Sequence, residues 1–433
     1  MTDTAAAPFT VSGLLVGLVD GLSSSGALTP DWRAAFLAVP RHLFVPDLVW
    51  RDREGGSGPQ SVRRAEQPDT WLRMVYRDEP VITQINDGAP STFPTVSPDS
   101  TVVRHTVYTS STSMPSVVAE MLTALRAQPG MSVLEIGTGT GWNTALLAHR
   151  LGGEHVTSVE IDPHISAHAQ QALAEAGYGA VTVLTGDGAL GHPRRAPYDR
   201  VISTACVYQV PYPWIAQTRA GGLVLTQWGT EYYNGHLLAL TVAGDGTATG
   251  GIVGKTAFMT VRDQRIPWIP ISAIVTDDSE ARAEEKLSKR HPRHYVAGYD
   301  PRTAIGVQVP RCIPRYTPPE AEDPDGILWL LDQWSHSWAA IHHQPDQPGP
   351  YRVRQYGPRR LFDEVSTAYR GWKAAGKPPA HTWRITITPH GQRAELTGSQ
   401  TGESWRGWHG GCGLTYRVGD LRRVALGWAT ELR

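Results

Sequence analysis

The chain is poor in cysteine: three residues, Cys206, Cys312 and Cys412, are spread over 433 positions. An odd and widely spaced set argues against a disulfide framework or a zinc ribbon, and for a reducing, cytoplasmic setting. Net charge is almost absent, with 40 Lys and Arg against 41 Asp and Glu, so no global field draws the protein to nucleic acid or an anionic membrane. No run of 18 apolar residues occurs, so no bilayer span is expected. The opening stretch, MTDTAAAPFT, has no basic segment followed by an apolar one and does not read as a secretory signal. The histidines, including the adjacent His342 and His343, lack metal-ligand spacing, so no metal is expected. Internal repeats and low-complexity tracts are missing too. What the chain has in excess is tryptophan and proline, 15 and 33 residues. Nine of the tryptophans fall from Trp268 onward, which sets the C-terminal portion apart. The length suits two or three domains with a large core.

The most informative stretch is Val133-Leu-Glu-Ile-Gly-Thr-Gly-Thr-Gly-Trp142. A short apolar strand runs into a loop with Gly137, Gly139 and Gly141, and a helix carrying Leu146, Leu147 and Leu151 follows at once. Glycines at such a turn let the backbone approach a ligand, and the helix start presents free N–H groups to it. Read alone, the loop could serve a dinucleotide. The preceding acid, Glu135, and the G-x-G-x-G spacing favour S-adenosyl-L-methionine, with S-adenosyl-L-homocysteine as product.

Along the chain, residues 11–22 read as a helix, and a second starts at Thr29-Pro30-Asp31, a cap, a first-turn proline and a dipole-favouring acid. Residues 54–68 read as a surface loop, 71–76 as a short helix and 80–84 as an extended piece. Residues 86–100, rich in Pro, Ser and Thr, read as an irregular lid or binding loop. From residue 113 onward helix and strand alternate: strands at 132–136, 156–161, 181–184, 200–203 and 222–227, with helices at 163–176 and near 213–219 between them. That order predicts a parallel, doubly wound sheet, closed by an antiparallel hairpin of residues 236–242 and 252–261. Beyond residue 267, the pattern predicts a charged helix over 276–291, a strand pair within 327–341, an amphipathic helix over 361–374 and a hairpin over 383–397. The expected organisation is an N-terminal helical and loop region over the site (1–112), a Rossmann-like core (113–267) and a C-terminal tryptophan-rich α+β domain (268–433).

Acids punctuate the strand ends. Glu160 ends the second core strand, where a carboxylate can accept both ribose hydroxyls of a nucleoside lying across the strand tops. Asp187, in Gly186-Asp-Gly188, follows the third strand and could accept from an adenine amino group. Each acid alone reads as a solvated strand-end carboxylate; Glu135, Glu160 and Asp187 together, correctly spaced from the glycine loop, read as a donor site. The candidate donor-binding residues are Glu135, Gly137, Thr138, Gly139, Gly141, Glu160, Ile161, Gly186, Asp187, Gly188 and Thr204.

The chain resembles the protein-L-isoaspartate O-methyltransferase family. The matching pieces are Val39-Pro-Arg-His-Leu-Phe-Val-Pro46, Ser113-Met-Pro115, Val133 to Gly141, Val159-Glu-Ile-Asp162, Gly186-Asp-Gly188, Ala196-Pro-Tyr-Asp199 and Gly221-Gly-Leu-Val224, covering residues 30–265. The resemblance implies a class I methyltransferase fold, methyl transfer to a peptide carboxylate, and a Ser113 hydroxyl beside the acceptor, with Thr112 as its neighbour. A helix cap before Pro115 is the competing and compatible role for Ser113. The chain departs from the repair enzymes in its length, its tryptophan-rich C-terminal domain and its acceptor segment, Ser111-Thr-Ser-Met-Pro115. Together with Trp228-Gly-Thr-Glu-Tyr-Tyr-Asn-Gly235, these departures resemble an extended actinobacterial variant associated with ribosomally made, modified peptides such as lanthipeptides and ATP-grasp-made cyclic peptides. The acceptor that this resemblance implies is an aspartate of a constrained peptide, whose methyl ester closes to an aspartimide. General isoaspartate repair is the alternative.

Other readings fare worse. A nucleic-acid amine methyltransferase would carry Asn/Asp-Pro-Pro-Tyr after the fourth strand, where Ser203-Thr-Ala-Cys206 stands. A scaffold without catalysis is at odds with intact acids and glycines. Cys206 reads as a small buried residue, with no histidine pairing to make it a nucleophile. Lys289-Arg-His-Pro-Arg-His294 is a basic patch, either a solvated surface or a contact for an acidic peptide. Trp334 and Trp338 belong to the C-terminal core or line a peptide groove.

Overall fold

The computed structural model describes residues 10–52, 59–89, 93–96, 102–319, 326–344 and 348–397. The N-terminal part holds helices α1 (Val11–Ser24), α2 (Pro30–Ala38) and α3 (Pro68–Val75). Its strands are β1 (Leu48–Asp52), β2 (Pro59–Arg63), β3 (Val81–Ile85), β4 (Phe93–Val96), β5 (Val102–His105) and β6 (Tyr108–Thr112). Four of them form an antiparallel sheet in the order β2-β1-β3-β6, and β4 pairs with β5. Two loops expected from the sequence are thus partly strand: residues 59–63 pair with β1, and residues 93–96 form one arm of a hairpin.

The core begins with α4 (Pro115–Leu125) and continues through β7 (Val133–Ile136), α5 (Trp142–Leu151), β8 (Val156–Glu160), α6 (Pro163–Glu175), β9 (Thr182–Thr185), β10 (Tyr198–Val207), α7 (Tyr212–Ala216) and β11 (Thr218–Trp228). The antiparallel strands β12 (His236–Val242) and β13 (Ala248–Lys255) follow. β7 to β11 are mutually parallel, as the alternation predicts, because helical crossovers return each strand in the same direction. Both faces are covered. Leu122, Leu146, Leu147 and Leu173 from α4, α5 and α6 pack on one face with Phe36 of α2, and Trp214 of α7 packs on the other. The chain runs outward from β7 through β8 to β9, then restarts on β7's other side with β10, so the switch point lies between β7 and β10. Ligands of open sheets bind in the crevice outside such a point.

The C-terminal part contains α8 (Asp277–Ala281), β14 (Glu284–Ser288), α9 (Arg293–Val296), α10 (Tyr299–Gln308), β15 (Ile313–Thr317), β16 (Gly326–Asp332), β17 (Ser337–His343), β18 (Tyr351–Tyr356), α11 (Leu361–Ala374), β19 (Trp383–Thr388) and β20 (Gly391–Leu396). Residues 276–291 are not one charged helix. Thr276 and Ser279 close a capping box on a single short helix, and the chain then becomes β14, the edge of a five-stranded sheet ordered β14-β18-β17-β16-β15. The strand pair, the 361–374 helix and the final hairpin fall where the sequence places them.

That hairpin does not stay with the C-terminal sheet. β19 pairs antiparallel with β13, Arg384 opposite Gly251, so the core sheet has nine strands in the order β20-β19-β13-β12-β11-β10-β7-β8-β9. Trp383, Ile385 and Ile387 enter the same apolar cluster as Leu134 and Trp214, and Ala304 and Val307 of α10 join them. The C-terminal portion is therefore integrated with the core through β19 and α10. Trp338 is fully buried and donates to Ser279 Oγ at 3.0 Å, a core role, while Trp334 sits half-buried in the turn between β16 and β17. Cys412 and the last three tryptophans lie outside the described residues. Among the described residues no helix is long and apolar enough to cross a membrane.

Candidate active site

A cleft opens at the C-terminal ends of the parallel strands. Its floor is the glycine loop. Gly137, Gly139 and Gly141 all take positive φ (87°, 56° and 90°), which glycine adopts without steric cost. A Cβ on Gly137 would come 2.9 Å from Thr204 Oγ1, whose hydroxyl donates to the Gly137 carbonyl at 2.7 Å. Gly141 is the N-cap of α5 and packs on Ala169 and Leu173, so its glycine serves helix packing and not the cleft.

Glu160 lies at the end of β8 on the cleft wall. Its Oε2 accepts from the Gly139 N–H at 2.9 Å and its Oε1 from the Asp162 N–H at 3.1 Å. Burial pushes its carboxyl above the usual range, and these backbone donors oppose the shift. Each oxygen keeps lone-pair capacity after its backbone bond, which matches the two acceptors that a vicinal ribose diol requires. Asp187 lines the same cleft and accepts from the Ala189 N–H at 2.9 Å. Ile161, Thr138, Gly188 and Thr204 line it as well, and a Cβ on Gly188 would collide with Ile136 Cγ2 at 2.6 Å.

Besides Gly141, two expected donor contacts are placed elsewhere. Glu135 is fully buried and absent from the cleft lining. Its carboxylate accepts from Asn143 Nδ2 at 2.6 Å, Thr144 Oγ1 at 2.5 Å and Ser158 Oγ at 2.7 Å. Burial raises its carboxyl above the usual range against those three donors. An acid so saturated ties the start of α5 to β7 and β8, so it shapes the loop from behind instead of meeting a ligand. Gly186 is likewise off the cleft, its N–H given to the Glu160 carbonyl at 2.8 Å.

Across the cleft stands the β6–α4 turn. Thr112 is buried and donates to Thr140 Oγ1 at 3.2 Å, which fastens the turn to the glycine loop. Ser113 lines the cleft but does not cap α4: the N-cap is Met114, with no side-chain capping bond. The backbone of this turn is held by Arg41, from the Val39-to-Pro46 segment. Fully buried, Arg41 donates through Nη2 to the carbonyls of Thr112 (2.9 Å) and Ser113 (2.7 Å) and Glu79 (3.1 Å), and through Nη1 to Val75 (2.5 Å). Desolvation lowers its guanidinium to about 9, opposed by Asp78 and Tyr76. It also lies 5.3 Å from the centre of the Trp142 ring, whose Nε1 donates to the Val39 carbonyl. The motif carrying Arg41 was visible in the sequence; the role of the arginine was not.

Residues 258–265 form the remaining wall and carry no motif that marks them in the sequence. Arg265 donates to both oxygens of Asp87 (2.9 and 2.7 Å), and Arg262 to Asp87 Oδ1 (3.1 Å) while lying 3.5 Å from Asp162 Oδ2. Gln84 donates to the same Asp162 oxygen at 3.1 Å. Burial would raise the Asp162 carboxyl, but Gln84, the Ile165 and His164 N–H groups and Arg262 hold it below its ordinary value. Asp87 itself sits at φ 53° beside Asn86 at φ 51°, a left-handed pair. Cys206 is buried, absent from the lining, and its thiol is pushed up to about 12 by burial, so it is no nucleophile. Among the described residues no three His, Cys, Asp or Glu side chains converge as a metal site.

A sequence model described as protein-L-isoaspartate(D-aspartate) O-methyltransferase matches residues 89–266. A protein-L-isoaspartate O-methyltransferase of Gloeobacter violaceus is 38% identical over 225 residues, 52% of this chain and 84% of the relative. One of Hyperthermus butylicus is 37% identical over 239 residues, 53% of this chain and 80% of the relative. A solved structure named protein-L-isoaspartate O-methyltransferase superposes with a TM-score of 0.47 at 20% identity, covering 88% of this chain and 99% of its own.

Proposed function

The chain belongs to the protein-L-isoaspartate O-methyltransferase family, and from that premise we propose that it transfers a methyl group to the α-carboxylate of an isoaspartyl residue in a peptide or protein. It is a carboxyl methyltransferase that depends on S-adenosyl-L-methionine. The observation that carries the reading is the shared cleft, with the ribose-type acceptor Glu160 on one wall and the Thr112–Ser113 turn on another. When bound, the donor supplies an electrophilic methyl on sulfonium and departs as the neutral thioether S-adenosyl-L-homocysteine. Glu160 would accept from its ribose hydroxyls, Asp187 from its base, and the Gly137–Gly139 backbone would approach it closely.

The acceptor carboxylate is ionised at neutral pH, so no general base is required. The residues have to orient it in line and keep competing water out. The Ser113 hydroxyl, unlike a cation, can hold one carboxylate oxygen without quenching its charge. Buried Arg41 fixes the Ser113 backbone, so the hydroxyl starts from a defined place. The ester formed is a better leaving group than the acid, and attack by a neighbouring backbone nitrogen would expel methanol and give an aspartimide.

The second acceptor, an aspartate of a modified ribosomal peptide, is favoured by the C-terminal sheet and its attachment through β19, which a minimal repair enzyme does not need. Methyl transfer from labelled donor to a linear isoaspartyl peptide and to an aspartate-containing macrocyclic peptide separates the two. Turnover of the isoaspartyl peptide, reduced about tenfold or more in kcat by Ser113→Ala with donor affinity kept, is the expected result. Turnover of the macrocycle alone would overturn the proposal and install the second reading.

A further inference from the structure

Cations on the C-terminal sheet are mostly neutralised: Arg352 pairs with Glu285 at 3.0 Å, Arg354 with Glu280 at 3.5 Å and Arg360 with Glu284 at 3.5 Å. The turn from β14 into α9 breaks the pattern. Arg290, exposed Arg293 and exposed His294 gather there with exposed Lys373 of α11, and none of them has a carboxylate partner among the described residues. The Arg290 guanidinium lies 4.9 Å from the centre of the Tyr369 ring, and the His294 ring is 6.3 Å from the same ring. Burial and then the charges of Arg293, Arg290 and Lys373 hold His294 below its ordinary value, which places all three cations within electrostatic reach of one ring.

We propose that this cluster docks an acidic segment of the peptide or protein that carries the methyl acceptor. The inference rests on the peptide-acceptor reading above. Like charges brought together without counter-ions cost free energy in the free protein, and an anionic partner relieves that cost. Stacking on Tyr369 holds one face of the Arg290 guanidinium and leaves its edge for a carboxylate, which it meets bidentately. With a whole-chain charge of -1, the patch is a local feature and not part of a general basicity. A nucleic-acid partner is less suited, because a phosphate backbone is tracked by a long basic stripe, whereas this cluster spans one turn and one helix end.

The test uses the full chain and two isoaspartyl peptides with one acceptor sequence, one with a Glu-rich flank and one with a Gln-rich flank. The expected result is a KM about fivefold lower for the acidic flank at low salt, a difference that shrinks as salt is raised. The double variant Arg290→Glu with Arg293→Glu should abolish or invert the ratio, and kcat on the Gln-flanked peptide reports that it folds. Equal KM values in the wild type, or a ratio that survives charge reversal, would overturn the docking surface while leaving the methyltransferase reading in place. If neither peptide is methylated, fluorescence anisotropy with the free Glu-rich flank decides: binding lost on charge reversal keeps the docking surface and removes the isoaspartyl reading. Tighter binding of a single-stranded oligonucleotide of equal charge would overturn the proposal.

Discussion

Arg41 Nη2 donates to the Ser113 carbonyl at 2.7 Å, joining a residue of the Val39-to-Pro46 segment to the β6–α4 turn. Removing that guanidinium strands several buried carbonyls at once, since Arg41 also serves Val75, Glu79 and Thr112. Arg41→Met should cost on the order of 3 kcal/mol, read as a lower denaturant midpoint with unchanged slope. Arg41→Lys restores charge without the planar fork, so it should recover only part of the loss, in stability and in kcat.

Glu160→Gln should weaken S-adenosyl-L-homocysteine binding by roughly tenfold to a hundredfold in calorimetry, the range for hydrogen bonds to a charged group. The pH dependence has a definite sign. Ribose hydroxyls need the ionised carboxylate, and burial raises the Glu160 carboxyl above its ordinary value. Binding should therefore be complete at neutral pH and fade on acidification, beginning at a higher pH than a free glutamate would dictate. Affinity that is flat down to pH 4 would contradict this placement.

Asp87 gathers Arg262 and Arg265 over the cleft, with Asp162 and Gln84 beneath. Asp87→Ala leaves two guanidiniums lining the cleft without their shared carboxylate and removes the tie between the turn after β3 and residues 262–265. The expected outcome is faster dissociation of S-adenosyl-L-homocysteine, by about fivefold in stopped flow, with little change in thermal midpoint.

His236 is buried between β12 and α10, with Nδ1 against the Tyr299 hydroxyl at 2.9 Å. Burial, and then the charge of Arg302, lowers it to about 3. Unfolded, it titrates near 6.5, so between about 6.5 and 3 the unfolded state binds more protons and stability falls as pH falls. Stability should drop by roughly 3 kcal/mol between pH 6.5 and 4 from this group. In His236→Phe that acid limb should flatten in denaturant titrations at each pH.

The parallel core was legible because strands buried on both faces read as apolar runs, and β7 and β8 are buried at every position. Glu160 falls on the cleft wall because it is the last residue of β8, and Asp187 reaches the same cleft from two residues past the end of β9. Glu135 is not placed by its position alone: its neighbour in sequence is the loop, but its direction is decided by Asn143, Thr144 and Ser158. β14 looks helical in sequence because an edge strand with only Ser288 buried shows no alternating apolar face. The Asp87 clasp was beyond sequence reasoning, since its partners lie 175 and 178 residues away in loops that carry no periodic signal.

The pairing of Arg384 with Gly251 has a consequence for how the protein is made. Until β19 leaves the ribosome, β13 is a bare edge presenting unpaired N–H and C=O groups, the kind of edge that recruits other chains. The β7-to-β13 part of the sheet is thus synthesised before its edge partner, and a chain cut after residue 267 should aggregate where the full-length chain does not. In the full-length chain β19 covers that edge with its own backbone groups and moves the end of the sheet out to β20.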